Sequence, residues 1–185
     1  CAGVEPGAGC GCQGACGQAM TALSRYVQAE EVLLGLEVAD KRQLFQAIGL
    51  HTARIGNLPA DAVASALMRR EMAGSTALGL GVAIPHARAS GLNHVRALYV
   101  RLVPGLDFDA PDAGLVSDAL VLLVPSPANQ EHLELLAHTA SLFSDRAFRG
   151  ALQACKKPIE IKALFDGWTP EALARCDPSR IGNAR

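Results

Sequence analysis

The run Ala119-Leu120-Val121-Leu122-Leu123-Val124-Pro125 constrains the fold more than any other stretch of this chain. It is continuously apolar, rich in branched side chains, and closed by a proline that cannot continue a ladder. It is also far shorter than the roughly eighteen apolar residues that a membrane-spanning helix needs. Such a run reads as a strand buried on both faces, and a strand of that kind needs covering layers on both sides.

The flanking sequence supplies those layers. Thr21–Val27 can form a short helix, and Glu31–Val38 alternates as a strand through Val32, Leu34, Leu36 and Val38. Asp40 suits the N-cap of a helix whose face carries Leu44, Phe45, Ile48, Thr52 and Ile55. Pro59 suits the first turn of a second helix that buries Val63 and Leu67 and ends near Arg70. Strands are expected around Ala77–Leu78, Val82–Ile84, Ala97–Val103 and Ala119–Val124, then helices over Gln130–Phe143, Arg146–Cys155 and Ile159–Phe165. Helices before and after a central strand set predict an α/β sandwich, with a mixed β-sheet flanked by helices on both faces.

Of 185 residues, half are hydrophobic and 19% charged, enough for one good core and too few for two. A net charge of −1 and few aromatic residues give no nucleic-acid surface. Cys1, Cys10, Cys12 and Cys16 sit in a Gly/Ala-rich leader, residues 1–19, whose C-x-C-x-x-x-C spacing is not a usual zinc pattern. That leader is read as a disordered extension, with Met20 opening the folded domain, residues 20–168, and residues 169–185 forming a loosely packed tail. It lacks the apolar core of a secretion signal, so a cytoplasmic setting without disulfides is expected.

The chemistry concentrates between Arg70 and His86. A cation, spaced glycines at 74, 79 and 81, and the small hydroxyls of Ser75 and Thr76 precede Val82-Ala83-Ile84-Pro85-His86. Glycines let backbone bend and approach something closely. Pro85 ends the short strand, so His86 should sit just past a strand end, near an arginine and backbone donors. A neutral imidazole there can act as a nucleophile, and an arginine suits the oxygens of a tetrahedral anion. Together these parts suggest phosphoryl transfer to histidine. Asn129 reads as the N-cap of the next helix, which puts His132 in its first turn, where N–H groups favour an anion.

Other residues carry less. Arg69 points about 100° away from Arg70 on a helix and is expected in solvent. Glu71 either orients Arg70 or carries surface charge. Ser75 and Thr76 either donate to the anion or shape the turn, with Ser75 preferred as a donor. His51, His94 and His138 read as ordinary polar positions. The absence of H-E-x-x-H and of a G-x-S-x-G elbow disfavours a zinc or serine hydrolase.

The same segments resemble the IIA component of the bacterial phosphoenolpyruvate-dependent phosphotransferase system, of the fructose/mannitol/nitrogen-regulatory class. Its R-E-x-x-G-S-T pattern appears as Arg70–Thr76, its G-x-A-x-P-H pattern as Gly81–His86, and its H-L-x-x-L helix start as His132–Leu136. The resemblance spans Met20 to Trp168, with Ala87 standing where many members carry glycine. It implies that His86 is phosphorylated, through Nε2, by an HPr-like histidine phosphocarrier protein. Arg70, His132 and Ser75 would then stabilise the phosphoryl group, with no metal or cofactor. Two outputs follow from it: a nitrogen-type regulator that acts on target proteins, or a sugar-transport component that feeds a IIB domain. The Phe108-Asp109-Ala110-Pro111-Asp112 loop looks like the nitrogen-type members, and no IIB or membrane domain is present in the sequence, which favours the regulator.

Overall fold

A computed structural model describes residues 23–56, 58–126 and 130–168. The order of elements is β1 (Val27–Leu36), α1 (Lys41–Gly56), α2 (Ala60–Met72), β2 (Ala77–Gly79), β3 (Val82–Ala83), β4 (His86–Arg88), β5 (Arg96–Leu106), β6 (Val116–Val124), α3 (Gln130–Ser144), α4 (Arg146–Ala154) and α5 (Pro158–Gly167). The strands form one six-stranded sheet in the order β1-β5-β6-β3-β2, with β4 also paired to β6. β1 runs parallel to β5, β5 antiparallel to β6, and β3 and β4 parallel to β6, so the sheet is mixed.

The continuous apolar run becomes β6, and its alternation shows why no polar residue interrupts it. Leu120, Leu122 and Val124 enter one hydrophobic cluster, while Ala119, Val121 and Leu123 enter another. β5 divides in the same way, Tyr99 to the first cluster and Leu98, Val100 and Leu102 to the second. The second cluster is completed by Leu44, Phe45 and Ile48 of α1 and by Val63 and Leu67 of α2. The first is completed by α3–α5, where Phe148 packs edge-on against Phe143, Phe165 and Trp168 with ring centroids 5.4, 5.5 and 4.9 Å away. Arg101 of β5 ties this layer to the sheet by donating to the carbonyls of Leu152 and Cys155 at the end of α4. The expected α/β sandwich, helices on both faces of a mixed sheet, is the fold observed.

Local signals set most boundaries. Asp40 Oδ1 accepts the Gln43 N–H at 2.8 Å and starts α1 as expected. Pro59 stands immediately before α2, which buries Val63 and Leu67. Three expectations need correction. Residues 23–26 form a turn rather than the end of a helix, and β1 begins at Val27, four residues before the expected strand. Ile55 is 45% exposed, and the buried face of α1 ends at Thr52. The third is β4, a strand that Pro85 conceals in the sequence.

The Cys-rich leader, Asn129 and the tail from Thr169 lie outside the described residues. No helix among those described is long and apolar enough to cross a membrane.

The aromatic cluster sets one expectation for stability. Phe148 is fully buried, so Phe148→Ala should lower the unfolding free energy by about 3–5 kcal/mol. Urea unfolding followed by circular dichroism measures this. A loss well under about 1 kcal/mol would show that α4 is not anchored through this ring.

Candidate functional site

The backbone around Pro85 places His86. Val82 and Ala83 pair with Asp118 and Ala119 of β6, and His86, Ala87 and Arg88 pair with Leu122, Leu123 and Val124 in the same register. Pro85 lacks an N–H, but its carbonyl accepts the Leu122 N–H at 2.9 Å, so the ladder resumes after it. His86 therefore opens a strand rather than hanging past the end of one.

Its ring is held at both nitrogens. Nδ1 lies 2.9 Å from the Ile84 carbonyl, and Arg70 Nε donates to Nε2 at 3.0 Å. A carbonyl only accepts, so this pattern assigns the hydrogen to Nδ1 and leaves the Nε2 lone pair facing Arg70. Burial of the ring lowers its pKa below the ordinary histidine value. The Ile84 carbonyl pulls the other way, Arg70 lowers it further, and Glu71 partly offsets this. The imidazole is thus neutral at pH 7.

Arg70 is fixed from its other end, where Nη1 donates to the Gly74 carbonyl at 2.9 Å. The next residue turns inward. Glu71 is 6% exposed and accepts from Lys41 Nζ (2.9 Å), Thr76 Oγ1 (2.6 Å) and Thr76 N (3.0 Å). It neither orients Arg70 through an ion pair nor carries surface charge; it pins the end of α2 to the turn that follows. Burial works against the charge on Lys41, but Asp109 and Glu71 outweigh it and hold the ammonium above its ordinary pKa.

The glycines serve the turn. Gly79 and Gly81 take φ of +82° and +77° around Leu80, conformations that favour glycine. What approaches Gly79 is a carboxylate: Asp112 Oδ2 accepts the Leu80 N–H at 2.7 Å, and a Cβ on Gly79 would lie 3.1 Å from that oxygen. The N–H groups of Leu80 and Gly114 hold the Asp112 carboxyl below the usual carboxylate range.

An open cavity of about 450 Å³ lies between α2, β4 and the start of α3. Arg69, Arg70, His86, Arg88 and His132 line it, with Ala66, Val124, Leu133 and Leu136 as an apolar border. His132, in the first turn of α3, is 6% exposed and faces the same space. Three of the four expected residues thus meet at one place. Ser75 does not: its hydroxyl donates to the Phe108 carbonyl at 2.5 Å and accepts the Ala77 N–H at 3.1 Å, so it shapes the turn.

Arg69 is exposed, as expected, and its side chain borders both this cavity and a neighbouring one lined by Arg42 and Asp61. One further cation was missed. Arg88 shares the His86 face of β4 by two-residue alternation, a signal readable only once that strand is known. Among the described residues, no carboxylate lines this cavity.

The fold and this cavity define a class, α/β proteins that present a neutral, hydrogen-bonded histidine among cations. The chain belongs to the phosphoenolpyruvate-dependent sugar phosphotransferase system EIIA 2 family, whose model matches residues 25–167. It is 35% identical over 143 residues to a nitrogen regulatory protein of Bradyrhizobium diazoefficiens, covering 77% of this chain and 94% of that one. A nitrogen regulatory protein of Pseudomonas aeruginosa is 41% identical over 107 residues, 58% of this chain and 69% of that one. The crystal structure of nitrogen regulatory protein IIA-Ntr from Neisseria meningitidis superimposes with a TM-score of 0.72 at 36% identity, over 77% of this chain and 98% of that one.

The lowered pKa of His86 can be read directly. In an NMR titration its ring should protonate at a pH below the free-histidine value of about 6.5. Arg70→Ala removes one lowering influence and should move the midpoint upward. A wild-type midpoint above that value would contradict the burial and charge described here.

Proposed function

We propose that this protein carries a phosphoryl group on Nε2 of His86, received from an HPr-like histidine phosphocarrier protein, and acts as a nitrogen-type regulatory protein. The EIIA 2 family works by phosphoryl transfer. The observation that supports His86 as the acceptor is its hydrogen bonding: Nδ1 is committed to Ile84, while Nε2 keeps its lone pair in an open cation-lined cavity.

The chemistry is balanced without a proton transfer. Nε2 attacks the donor's phosphorus in line, and its lone pair forms the new N–P bond. The donor's N–P bond breaks, and that electron pair returns to the donor nitrogen. Nδ1 keeps its hydrogen, and the Ile84 carbonyl stabilises the positive charge that the ring acquires. Arg70 leaves Nε2 for a phosphoryl oxygen as the group arrives, and His132 meets the charge from the start of α3. No step calls on a metal or cofactor.

The regulatory output is supported by the relatives matched along most of this fold, which carry the name nitrogen regulatory protein. On this reading the protein works in the cytoplasm beside its carrier, and its phosphorylation state decides which target proteins it meets. A sugar-transport IIA component would instead pass the group to a IIB domain.

Incubation with phosphoenolpyruvate, enzyme I and a histidine carrier, followed by intact mass and peptide mapping, tests the acceptor. One acid-labile phosphoryl group on His86 is expected. A His86→Ala protein that still takes up such a group would overturn the assignment. Arg70→Ala and His132→Ala should each slow transfer about tenfold or more, since a charge-assisted hydrogen bond contributes about 1.5–3 kcal/mol. Rapid passage of the group to a purified fructose or mannitol IIB domain would favour the sugar-transport output.

A further inference from the structure

The cavity holds more positive charge than the transfer step above uses. That step engages Arg70 and His132, whereas Arg69 and Arg88 line the same space without a role in it. Arg88 follows His86 by two residues on β4, so their Cα atoms lie about 6.6 Å apart and their side chains leave the same face. Ala87 between them is buried in the cluster beneath α1 and α2. Arg69 comes from the opposite wall, on α2. Other arginines near the sheet are matched: Arg96 by Glu31, and Arg101 by Asp118 and two carbonyls. Among the described residues, neither the Arg69 nor the Arg88 side chain has a hydrogen-bond or ion-pair partner.

A pair of guanidinium groups facing one cavity, with no carboxylate among its described lining residues, is suited to an anion that arrives from outside. A phosphoryl group on His86 brings close to two negative charges to that position. We propose that Arg69 and Arg88 set the phosphoryl-transfer equilibrium, stabilising phosphorylated His86 so that the protein holds the group as a sink rather than relaying it. This rests on His86 being the acceptor. The bonds made and broken are those of the transfer step; the two arginines change how far it proceeds. A relay works best when the group leaves as readily as it arrives. A regulator works best when the modified state persists, and extra cations beside the phosphoryl oxygens give it that persistence.

The equilibrium constant separates this from a docking role. It compares the free proteins before and after transfer, so a residue that only helps the donor dock changes the rate and leaves the constant alone. Histidine carrier protein, charged from phosphoenolpyruvate and freed of enzyme I, is mixed with the full-length protein until the distribution stops changing. Phosphate-affinity electrophoresis then gives the phosphorylated fraction of each partner.

Wild type should take most of the group. Arg69→Gln and Arg88→Gln should each lower the equilibrium constant about three- to tenfold, and Arg88→Lys should retain most of the wild-type value. The gap between wild type and the glutamine variants should narrow as salt rises from about 0.05 M to about 0.5 M, where screening is stronger. Equal constants for wild type and both glutamine variants would overturn the inference, even if transfer slowed. Failure of the wild-type protein to accept the group at all would overturn the acceptor assignment and this inference together.

Discussion

Both faces and both edges of β6 are occupied, and the rest of the molecule is arranged around that fact. One edge pairs with β5 and the other with β3 and β4, while its two faces enter separate hydrophobic clusters under different helix layers. A strand enclosed in this way cannot shift register, because a slip by one residue would exchange the side chains of the two clusters. The Pro85 carbonyl bonded to Leu122 N passes this rigidity to His86. The ring is further held by the Ile84 carbonyl. Its position is set by the sheet core, not by a mobile loop.

Two adjacent residues at the end of α2 divide the electrostatics. Arg70 points to the cavity and Glu71 to the interior, as the helix angle between neighbours requires. The buried carboxylate would be costly alone, but Lys41 and the Thr76 hydroxyl and N–H satisfy it. In doing so it anchors the backbone that carries Arg70 and Gly74, and Gly74 returns a carbonyl to Arg70 Nη1. The negative charge therefore acts on the cavity through structure, and only weakly through the field that partly offsets the lowering of the His86 pKa.

The sequence made the sandwich readable because β6 is apolar without a break and the helices around it keep their periodicity. Asp40 and Pro59 mark helix starts through local chemistry that tertiary packing leaves unchanged. β4 was hidden for the opposite reason. It is three residues long, follows a proline, and exists only because β6 offers a free edge in the correct register, a long-range condition that no local pattern records. With β4 unseen, Arg88 could not be placed beside His86. Ser75 and the glycines were ambiguous because a turn gripped by Phe108 and Asp112 uses the same small residues as a phosphate-binding loop. The motif residues Arg70, His86 and His132 were readable in type, and the fold supplied their meeting point.

The resting arrangement also limits how the cavity can respond to a phosphoryl group. Arg70 already contacts Nε2, so under the proposed function the change needed is a shift of one guanidinium from a ring nitrogen to an oxygen a short distance beyond it. The ring cannot rotate without losing the Ile84 contact, and β4 cannot move without breaking its ladder to β6. The adjustable parts are the outer ends of Arg69 and Arg88, both on exposed positions. A group added to His86 would therefore change the charge of this face while the sheet and helices stay in place. Any partner that distinguishes the two states must read that charge, together with the apolar border formed by Leu133 and Leu136.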